Sequence, residues 1–401
     1  MTLLPLAEAL ERVAARSRAL PPERVPFEEA AGRILAEAVR APGDLPASDI
    51  SMMDGYALRA ADATSPLRVA FEVAAGDAPP RALAQGEAAR IFTGAPLPAG
   101  ADCVVMQEHA ARSGAEVRFE APPRAGQHIR RRGEEVLKGA PVLDAGATLG
   151  PAELSLLVAC GVASPLVGRR PRVALLPTGD ELVPPLTEPL PGKLVETNSI
   201  ALAALVRDAG GVPLRLGIAP DRTEEIAARL GAARADVLVT TGGASIGDHD
   251  HAQAALERIG GALVFHTVAI RPGKPALFGT ASEGRLLFGL PGNPAAAMLC
   301  FELFIRPALR RMLGDPRPDR ALVRAELRGA ALSRLAGLTY FPRGVLRAEG
   351  GRLFFTPGGQ QSSMQIGSWA GANAAARIEP GAGKIEPGEP IDVLLVGPLA
   401  Y

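Results

Sequence analysis

Four short segments in the second half of the chain combine glycines with carboxylates, threonines or a lysine. Each follows an apolar run that predicts a β-strand, and the first, second and fourth are followed by a helical pattern. Because the carboxyl ends of parallel strands meet at one edge of a sheet, we expect the four segments to converge there. In chain order they are Thr178–Glu181, Thr240–Asp250, Arg271–Pro275 and Gly289–Pro294.

The glycines in these segments predict turns that bind an anion through backbone N–H groups. Gly242 and Gly243 lie between a strand and a helix, where a Cβ atom would obstruct the close approach of a phosphate. The loop Leu290–Pro294 has the same character, and Pro294 suits the first turn of the helix that follows. The alternative for both loops is an ordinary tight turn.

Charged side chains complete the pattern. Lys274 lies on a stiff loop between Gly273 and Pro275, which favours an oxyanion-binding role that Arg271 could share. Several carboxylates at or just after strand ends suit a hard cation such as Mg²⁺ that in turn holds phosphate oxygens. They are Asp180, Glu181, Asp221, Asp248 and Asp250. Helix N-caps remain the alternative for Asp221 and Asp248. The residues alone predict metal-dependent handling of a phosphorylated small molecule.

Composition limits the class of protein. The chain has 401 residues, enough for roughly two to four domains, and 47% of them are hydrophobic. Its formal net charge is zero, so nothing favours a nucleic acid or an anionic membrane surface as partner. The three cysteines are far apart and suit a reduced, cytoplasmic location. No uncharged apolar run is long enough to span a bilayer.

Periodicity along the chain predicts several domains. Residues 3–40 predict two helices, the second within Phe27–Val39, and residues 150–160 predict another helix. The stretch between them has short β-like runs and Gly/Pro turns, which indicates a β-rich insertion. From Arg172 strands and helices alternate, as in a three-layer α/β domain with a parallel sheet. Asp221 and Glu224 predict a capping box there. From about Pro316 onwards the chain is again β-like.

The same segments resemble one known family over almost the whole chain. Ser51–Ala57 is similar to the family's S-A-M-D-G-Y-A, and the segment that begins at Thr93 is similar to T-G-A-P-x-P. Arg130–Glu135 is similar to R-R-x-G-E-D, and T-G-D-E, T-G-G-x-S-x-G, P-G-K-P and G-L-P-G-N-P follow in family order. This is the molybdopterin molybdenumtransferase family, MoeA-type, which includes the E domain of gephyrin.

The resemblance implies a fold and a set of domains. It implies a helical linker domain, an inserted β-rich domain, an α/β domain of the molybdopterin-binding type and a C-terminal small β-barrel. The expected ranges are 1–40 with 143–168, then 41–142, 169–316 and 317–401.

The resemblance also implies an activity and its partners. The enzyme would insert molybdate into adenylylated molybdopterin with release of AMP, in a Mg²⁺-dependent step. The family is dimeric, and its cleft lies between the α/β domain of one subunit and the inserted domain of the other. Transient contacts with the molybdopterin adenylyltransferase and with molybdoenzyme apoproteins are expected.

Site residues follow from the matching motifs. The expected catalytic residues are Asp54, Thr93, Glu181, Asp221, Asp250 and Lys274, of which Glu181, Asp221 and Asp250 would hold the metal. The expected substrate-binding residues are Arg130, Glu135, Gly242, Gly243, Ser245, Arg271, Pro291, Gly292, Asn293, Arg343 and Ser363.

Two other functions stay open at this point. A scaffold protein, as the gephyrin E domain also is, would not need these carboxylates or Lys274. A molybdopterin adenylyltransferase would share the α/β domain, but the additional β-rich domains favour the insertion step.

Overall fold

The computed structural model describes residues 3–64, 66–188, 190–243 and 251–400. Within it the chain forms two compact units. The first, called here the α/β–barrel unit, comprises Met1–Glu23, Gly32–Ala36 and Leu166–Tyr401. The second, called here the β-rich unit, comprises Arg24–Ala31 and Glu37–Pro165.

A six-stranded sheet forms the centre of the α/β–barrel unit. Its first four strands are parallel, and the last two are antiparallel to their neighbours. In spatial order the strands are Val212–Arg215, Arg172–Pro177, Val237–Thr241, Leu286–Leu290, Leu277–Thr280 and Ala262–Phe265. Val237–Thr241 and Leu286–Leu290 are buried throughout, as expected for strands covered on both faces.

Alternation along the strands produces three layers. Val173 and Leu175 belong to one buried cluster, whereas Ala174 and Leu176 belong to a second cluster on the opposite face. The first face is covered by Leu6–Ala14, Asn198–Asp208, Pro294–Cys300 and Arg306–Met312, and the second by Thr223–Ala232 and His251–Arg258. A π-helical segment, Phe301–Ile305, joins Pro294–Cys300 to Arg306–Met312. The predicted three-layer α/β domain is thus confirmed.

A closed five-stranded barrel ends the chain and confirms the predicted small β-barrel. Leu327, Leu346, Phe355 and Val393 are among its core residues. Its strands are Leu322–Leu327, Arg352–Pro357, Arg343–Glu349, Ala374–Arg377 and Pro390–Leu395. Shorter elements of the unit are the strands Leu182–Val183, Leu194–Val195, Ile270–Arg271, Leu332–Ser333, Thr339–Tyr340 and Lys384–Ile385, and the 3₁₀ turns Ser282–Gly284 and Ile366–Ser368.

The β-rich unit contains its own six-stranded sheet. In spatial order the strands are Cys103–Met106, Gly55–Leu58, Glu87–Ile91, Leu67–Val73, Glu116–Phe119 and Ala110–Ser113. The predicted helix is present as Pro151–Ala159. Two antiparallel pairs of short strands are Val39–Arg40 with Pro141–Leu143 and Ile50–Ser51 with Ile129–Arg130. The 3₁₀ turns are Phe27–Glu29, Ala60–Asp62 and Gln107–His109. The strands Glu23–Arg24 and Leu166–Val167 lie at the boundaries of the units.

Two local predictions were wrong. Phe27–Val39 is not a helix: only a 3₁₀ turn, Phe27–Glu29, forms, and Gly32 then adopts a φ of +71°, which ends any helical path. Asp221 does not open a capping box, because the helix begins at Thr223 after Arg222 and no side chain caps it. The four domain ranges remain a prediction. No helix in the described ranges has the length and apolarity needed to cross a membrane.

Glu87 should make the stability of the β-rich unit depend on pH. Its almost buried carboxylate accepts hydrogen bonds from Arg81 (2.7 Å) and Arg68, and these interactions lower its pKa from 4.5 to about 2. A lowered pKa stabilises the fold above pH 4.5, and this stabilisation is lost as the pH falls towards about 2. We expect Glu87→Gln to lower the melting temperature at neutral pH and to flatten its fall across that acid range. An equally steep fall in the variant would contradict this.

Candidate active site

A cleft lies at the carboxyl edge of the parallel sheet, within the α/β–barrel unit. Its cavity volume is about 780 Å³. Loops that follow three neighbouring strands contribute to it, as expected from the register of the parallel strands. The lining residues are Thr178, Glu181, Leu182, Leu194, Val195, Glu196, Thr197, Asn198, Thr241, Gly242, Gly243, Lys274, Pro275, Pro291, Gly292, Asn293, Pro294, Met364 and Ile366.

The turn after Thr241 passes very close to Thr178. The amide of Thr178 donates a hydrogen bond to the carbonyl of Thr241 (2.8 Å). Gly242 has a φ of +92°, and a Cβ atom there would lie 2.3 Å from the carbonyl oxygen of Thr178. Only glycine fits both the backbone conformation and this distance. A Cβ on Gly292 would lie 3.5 Å from the Cα of Gly242, so the two predicted anion-binding loops are adjacent.

The Pro291–Pro294 loop is fixed by two asparagine side chains. Asn198 donates from Nδ2 to the carbonyl of Gly292 (2.8 Å), and Asn293 donates from Nδ2 to Oγ of Ser363 (3.1 Å). Ser363 also accepts the amide of Ala295 on its carbonyl (3.1 Å). Ser363 therefore contacts the loop, although it does not line the cleft itself.

Opposite charges line the same cleft. Glu181 is exposed, and its carboxylate oxygens occupy the space above Gly179 that a Cβ atom would need. Lys274 is also exposed, but its backbone is fixed: its carbonyl accepts the amide of Val268 (3.0 Å), and Gly273 before it packs against Cys300. A carboxylate and an ammonium group thus flank two glycine-containing loops.

Three other predicted residues of this unit lie outside the cleft lining. The amide of Asp221 donates to Oδ1 of Asp180 (3.4 Å), and the guanidinium of Arg271 lies 5.9 Å from the ring centroid of Tyr340. Arg343 is fully buried, with Nη2 donating to the carbonyl of Ser362 (3.1 Å). Burial lowers the pKa of Arg343, and its Nε and Nη1 have no acceptor among the described residues.

The predicted metal ligands can be tested only in part. Asp250 and Ser245 lie outside the described residues. Among those that are described, no group of three or more histidine, cysteine, aspartate or glutamate residues could hold a metal ion. Asp221 nevertheless has a buried Oδ1 atom that lacks a hydrogen-bond partner within the described ranges. An unsatisfied carboxylate oxygen suits a hard cation such as Mg²⁺, so Asp221 fits the expected donor set.

The β-rich unit carries a second group of predicted residues. Thr93 donates from its amide and from its hydroxyl to Oδ1 of Asp54, each at 2.8 Å. These two hydrogen bonds, with a contribution from the charge of Arg90, hold the pKa of Asp54 below its ordinary value. Asp54 is therefore a carboxylate at neutral pH. Arg130 and Glu135, also in this unit, form an ion pair. Arg130 lies opposite Ile50 where the strands Ile50–Ser51 and Ile129–Arg130 pair.

Comparison with known proteins decides the family. The MoeA N-terminal region (domain I and II) matches residues 4–161, the probable molybdopterin binding domain matches 174–311, and the MoeA C-terminal region (domain IV) matches 329–396. Molybdopterin molybdenumtransferase of Nostoc sp. is 36% identical over 93% of this chain and 88% of its own. The chain belongs to the molybdopterin molybdenumtransferase family.

Further relatives agree with this assignment. The Bacillus subtilis molybdopterin molybdenumtransferase is 35% identical over 98% of this chain and 94% of its own. A molybdopterin biosynthesis MoeA protein from Pyrococcus horikoshii superimposes with a TM-score of 0.80 at 31% identity, over 98% of this chain and 100% of that one. The resemblance inferred from the motifs is thus confirmed, and so is the fold class.

Several cleft residues of this family member were missed by sequence reasoning. Asn198 belongs to none of the predicted motifs, yet its side chain donates a hydrogen bond to the carbonyl of Gly292. Met364 and Ile366 come from the barrel and carry no local signal of a cleft. Glu196 accepts hydrogen bonds from the amide and hydroxyl of Ser199, each at 2.6 Å, and so supports the helix that follows the cleft wall.

A matched pair of glycine variants should measure the close approach at the cleft. Gly242→Ala introduces both a strained φ and a collision with the carbonyl of Thr178, whereas Gly260→Ala (φ +72°, nothing within 4 Å) introduces strain alone. Strain alone costs about 1 kcal/mol, and displacement of packed backbone should add about 2 kcal/mol more. Thermal unfolding should therefore show the larger loss for Gly242→Ala. Equal losses would mean that the Thr178 loop moves aside freely.

Proposed function

We propose that this protein is a molybdopterin molybdenumtransferase that inserts molybdate into adenylylated molybdopterin and releases AMP, within molybdenum cofactor biosynthesis. One observation carries the proposal: two glycine-containing loops, Glu181 and Lys274 line a single cleft in a chain of this family. Glycine loops suit phosphate oxygens, and an ammonium group suits an oxyanion. The names of the relatives give the class of reaction.

The described residues suggest distinct roles in this reaction. Backbone N–H groups at Gly243 and Gly292 would bind phosphate oxygens of the nucleotide portion. The amide of Gly242 donates to the carbonyl of Leu290 (3.2 Å), so Gly242 would contribute by allowing the close approach of the two loops. Lys274 would hold an oxygen of molybdate or of phosphate, and Arg271 would add positive charge nearby. Holding both substrates in one orientation lowers the entropic barrier for their reaction.

A divalent metal fits the proposal. Glu181, Asp221 and Asp250 would hold Mg²⁺, which when bound would neutralise charge on the phosphate oxygens. Asp54, fixed by Thr93, and the pair Arg130 and Glu135 would act from the β-rich unit. Arg343 and Ser363 would act through the segment 362–364. Arg343 donates a hydrogen bond to the carbonyl of Ser362, and Ser363 is part of the segment and accepts a hydrogen bond from Asn293.

We further propose a homodimer whose clefts are each completed by Asp54 and Thr93 of the other subunit. Contacts with the adenylyltransferase and with molybdoenzyme apoproteins would be transient. A cytoplasmic location fits the three cysteines, all of which are free and buried. A scaffold role is the second candidate, but an exposed lysine on a tightly packed loop favours the enzyme.

The central experiment measures AMP release from purified protein with adenylylated molybdopterin, Mg²⁺ and molybdate. We expect Lys274→Gln to reduce the rate at least about tenfold, which is a loss of roughly 1.4 kcal/mol of transition-state stabilisation. Lys384→Gln removes another exposed lysine, on the short strand Lys384–Ile385, and serves as the matched control. Both melting temperatures should stay near that of the wild type. Unchanged kinetics for Lys274→Gln across a molybdate titration would refute the oxyanion role and favour Arg271.

Mixed dimers should test the composite cleft. An Asp54→Ala subunit and a Lys274→Ala subunit each form strongly impaired dimers in the proposal, but one of the two clefts in their mixed dimer contains both native residues. AMP release should therefore recover towards half of the wild-type rate per mixed dimer. Verified mixed dimers without recovery, or a monomer in sedimentation at micromolar concentration, would rule out the arrangement.

A further inference from the structure

Arg90 lies where three segments around Asp54 meet in the β-rich unit. It is half-buried on the strand Glu87–Ile91, directly opposite Tyr56 on the neighbouring strand. Its guanidinium carbon lies 5.2 Å from the ring centroid of Tyr56 and 4.8 Å from that of Phe92. Phe92 immediately precedes Thr93, so the guanidinium contacts both segments that form the Asp54–Thr93 pair.

Hydrogen bonds from the same guanidinium reach both sides of Asp54. Nη1 donates to the carbonyl of Gly55 (3.0 Å), and Nη2 donates to Oε1 of Gln107 (2.5 Å). The amide of Gln107 in turn donates to the carbonyl of Asp54 (3.0 Å). The backbone at Asp54 is therefore held through Gly55 on one side and through Gln107 on the other.

This arrangement leaves part of the carboxylate free for a ligand. Thr93 occupies Oδ1 of Asp54 with two hydrogen bonds, and no donor among the described residues reaches Oδ2. We propose that Arg90 is a positioning residue, which holds the segments of Asp54 and Thr93 together so that Asp54 presents its second oxygen to substrate. This inference rests on the proposed catalytic function of Asp54.

The chemistry of arginine suits this role better than that of lysine. A planar guanidinium can lie over aromatic rings while it donates two hydrogen bonds in fixed directions. A lysine would retain the charge but lacks the fork that links Gly55 to Gln107. Arg118 provides a matched contrast: it is exposed on the same sheet, and no hydrogen bond or ion pair of its side chain is found in the described ranges.

Hydrogen–deuterium exchange tests the positioning directly, without turnover. The amide of Thr93 is protected by its bond to Asp54, so Arg90→Met should increase its exchange rate at least about fivefold, with a smaller increase in Arg90→Lys. Arg118→Met should leave that amide unchanged. Melting temperatures measured in parallel identify any variant that simply fails to fold. Wild-type protection of Thr93 in a folded Arg90→Met protein would overturn the proposal.

A double-mutant cycle on AMP release tests whether Arg90 acts through Asp54. We expect Arg90→Met to lower the rate about tenfold and to have no further effect in an Asp54→Ala background, because the group it positions is then absent. Multiplicative losses would show that Arg90 acts independently and would overturn the inference. Wild-type turnover of Asp54→Ala would instead reject the proposed function of Asp54. The exchange rate of the Thr93 amide would still show whether Arg90 positions the Asp54 and Thr93 segments.

Discussion

The cleft depends on the close approach between the turn at Gly242 and the carbonyl oxygen of Thr178. The hydrogen bond between Thr178 and Thr241 continues the pairing of two parallel strands for one step beyond the sheet. A Cβ atom at residue 242 would lie 2.3 Å from the carbonyl oxygen and 3.1 Å from the hydroxyl oxygen of Thr178, and it would separate these strand ends. Since backbone atoms cannot move aside as a flexible side chain can, the absence of a Cβ atom here is a condition for the whole arrangement.

This constraint explains why one part of the cleft could be predicted from the sequence. Buried runs such as Val237–Thr241 and Leu286–Leu290 fix strand direction and register, and the register places the residues after each strand at one edge. Gly242, Gly292, Glu181 and Lys274 then meet because of topology alone. Glycines after a buried strand were therefore an informative local signal, even though a tight turn was an equally simple explanation of each.

The remainder of the cleft could not be predicted, because it depends on packing between distant segments. Met364 reaches the cleft because the chain between two barrel strands returns to the helix that begins at Pro294. Trp369 anchors this return by donating from Nε1 to the carbonyl of Ala295 (3.1 Å). The predicted helix in Phe27–Val39 failed for a different reason. Its apolar spacing was suitable, but spacing does not report the left-handed conformation of Gly32.

The barrel also fixes part of the cleft lining, through Arg343. Burial of a guanidinium costs free energy, and two of the Arg343 nitrogens find no acceptor among the described residues. Its remaining donor binds the carbonyl of Ser362, and its backbone amide and carbonyl are both bonded by Gln361. Gln361 and Ser362 directly precede Ser363, which accepts a hydrogen bond from Asn293, and Met364, which lines the cleft. The position of the cleft wall is thus set by the barrel as well as by the parallel sheet, and the two domains form one structural unit around it.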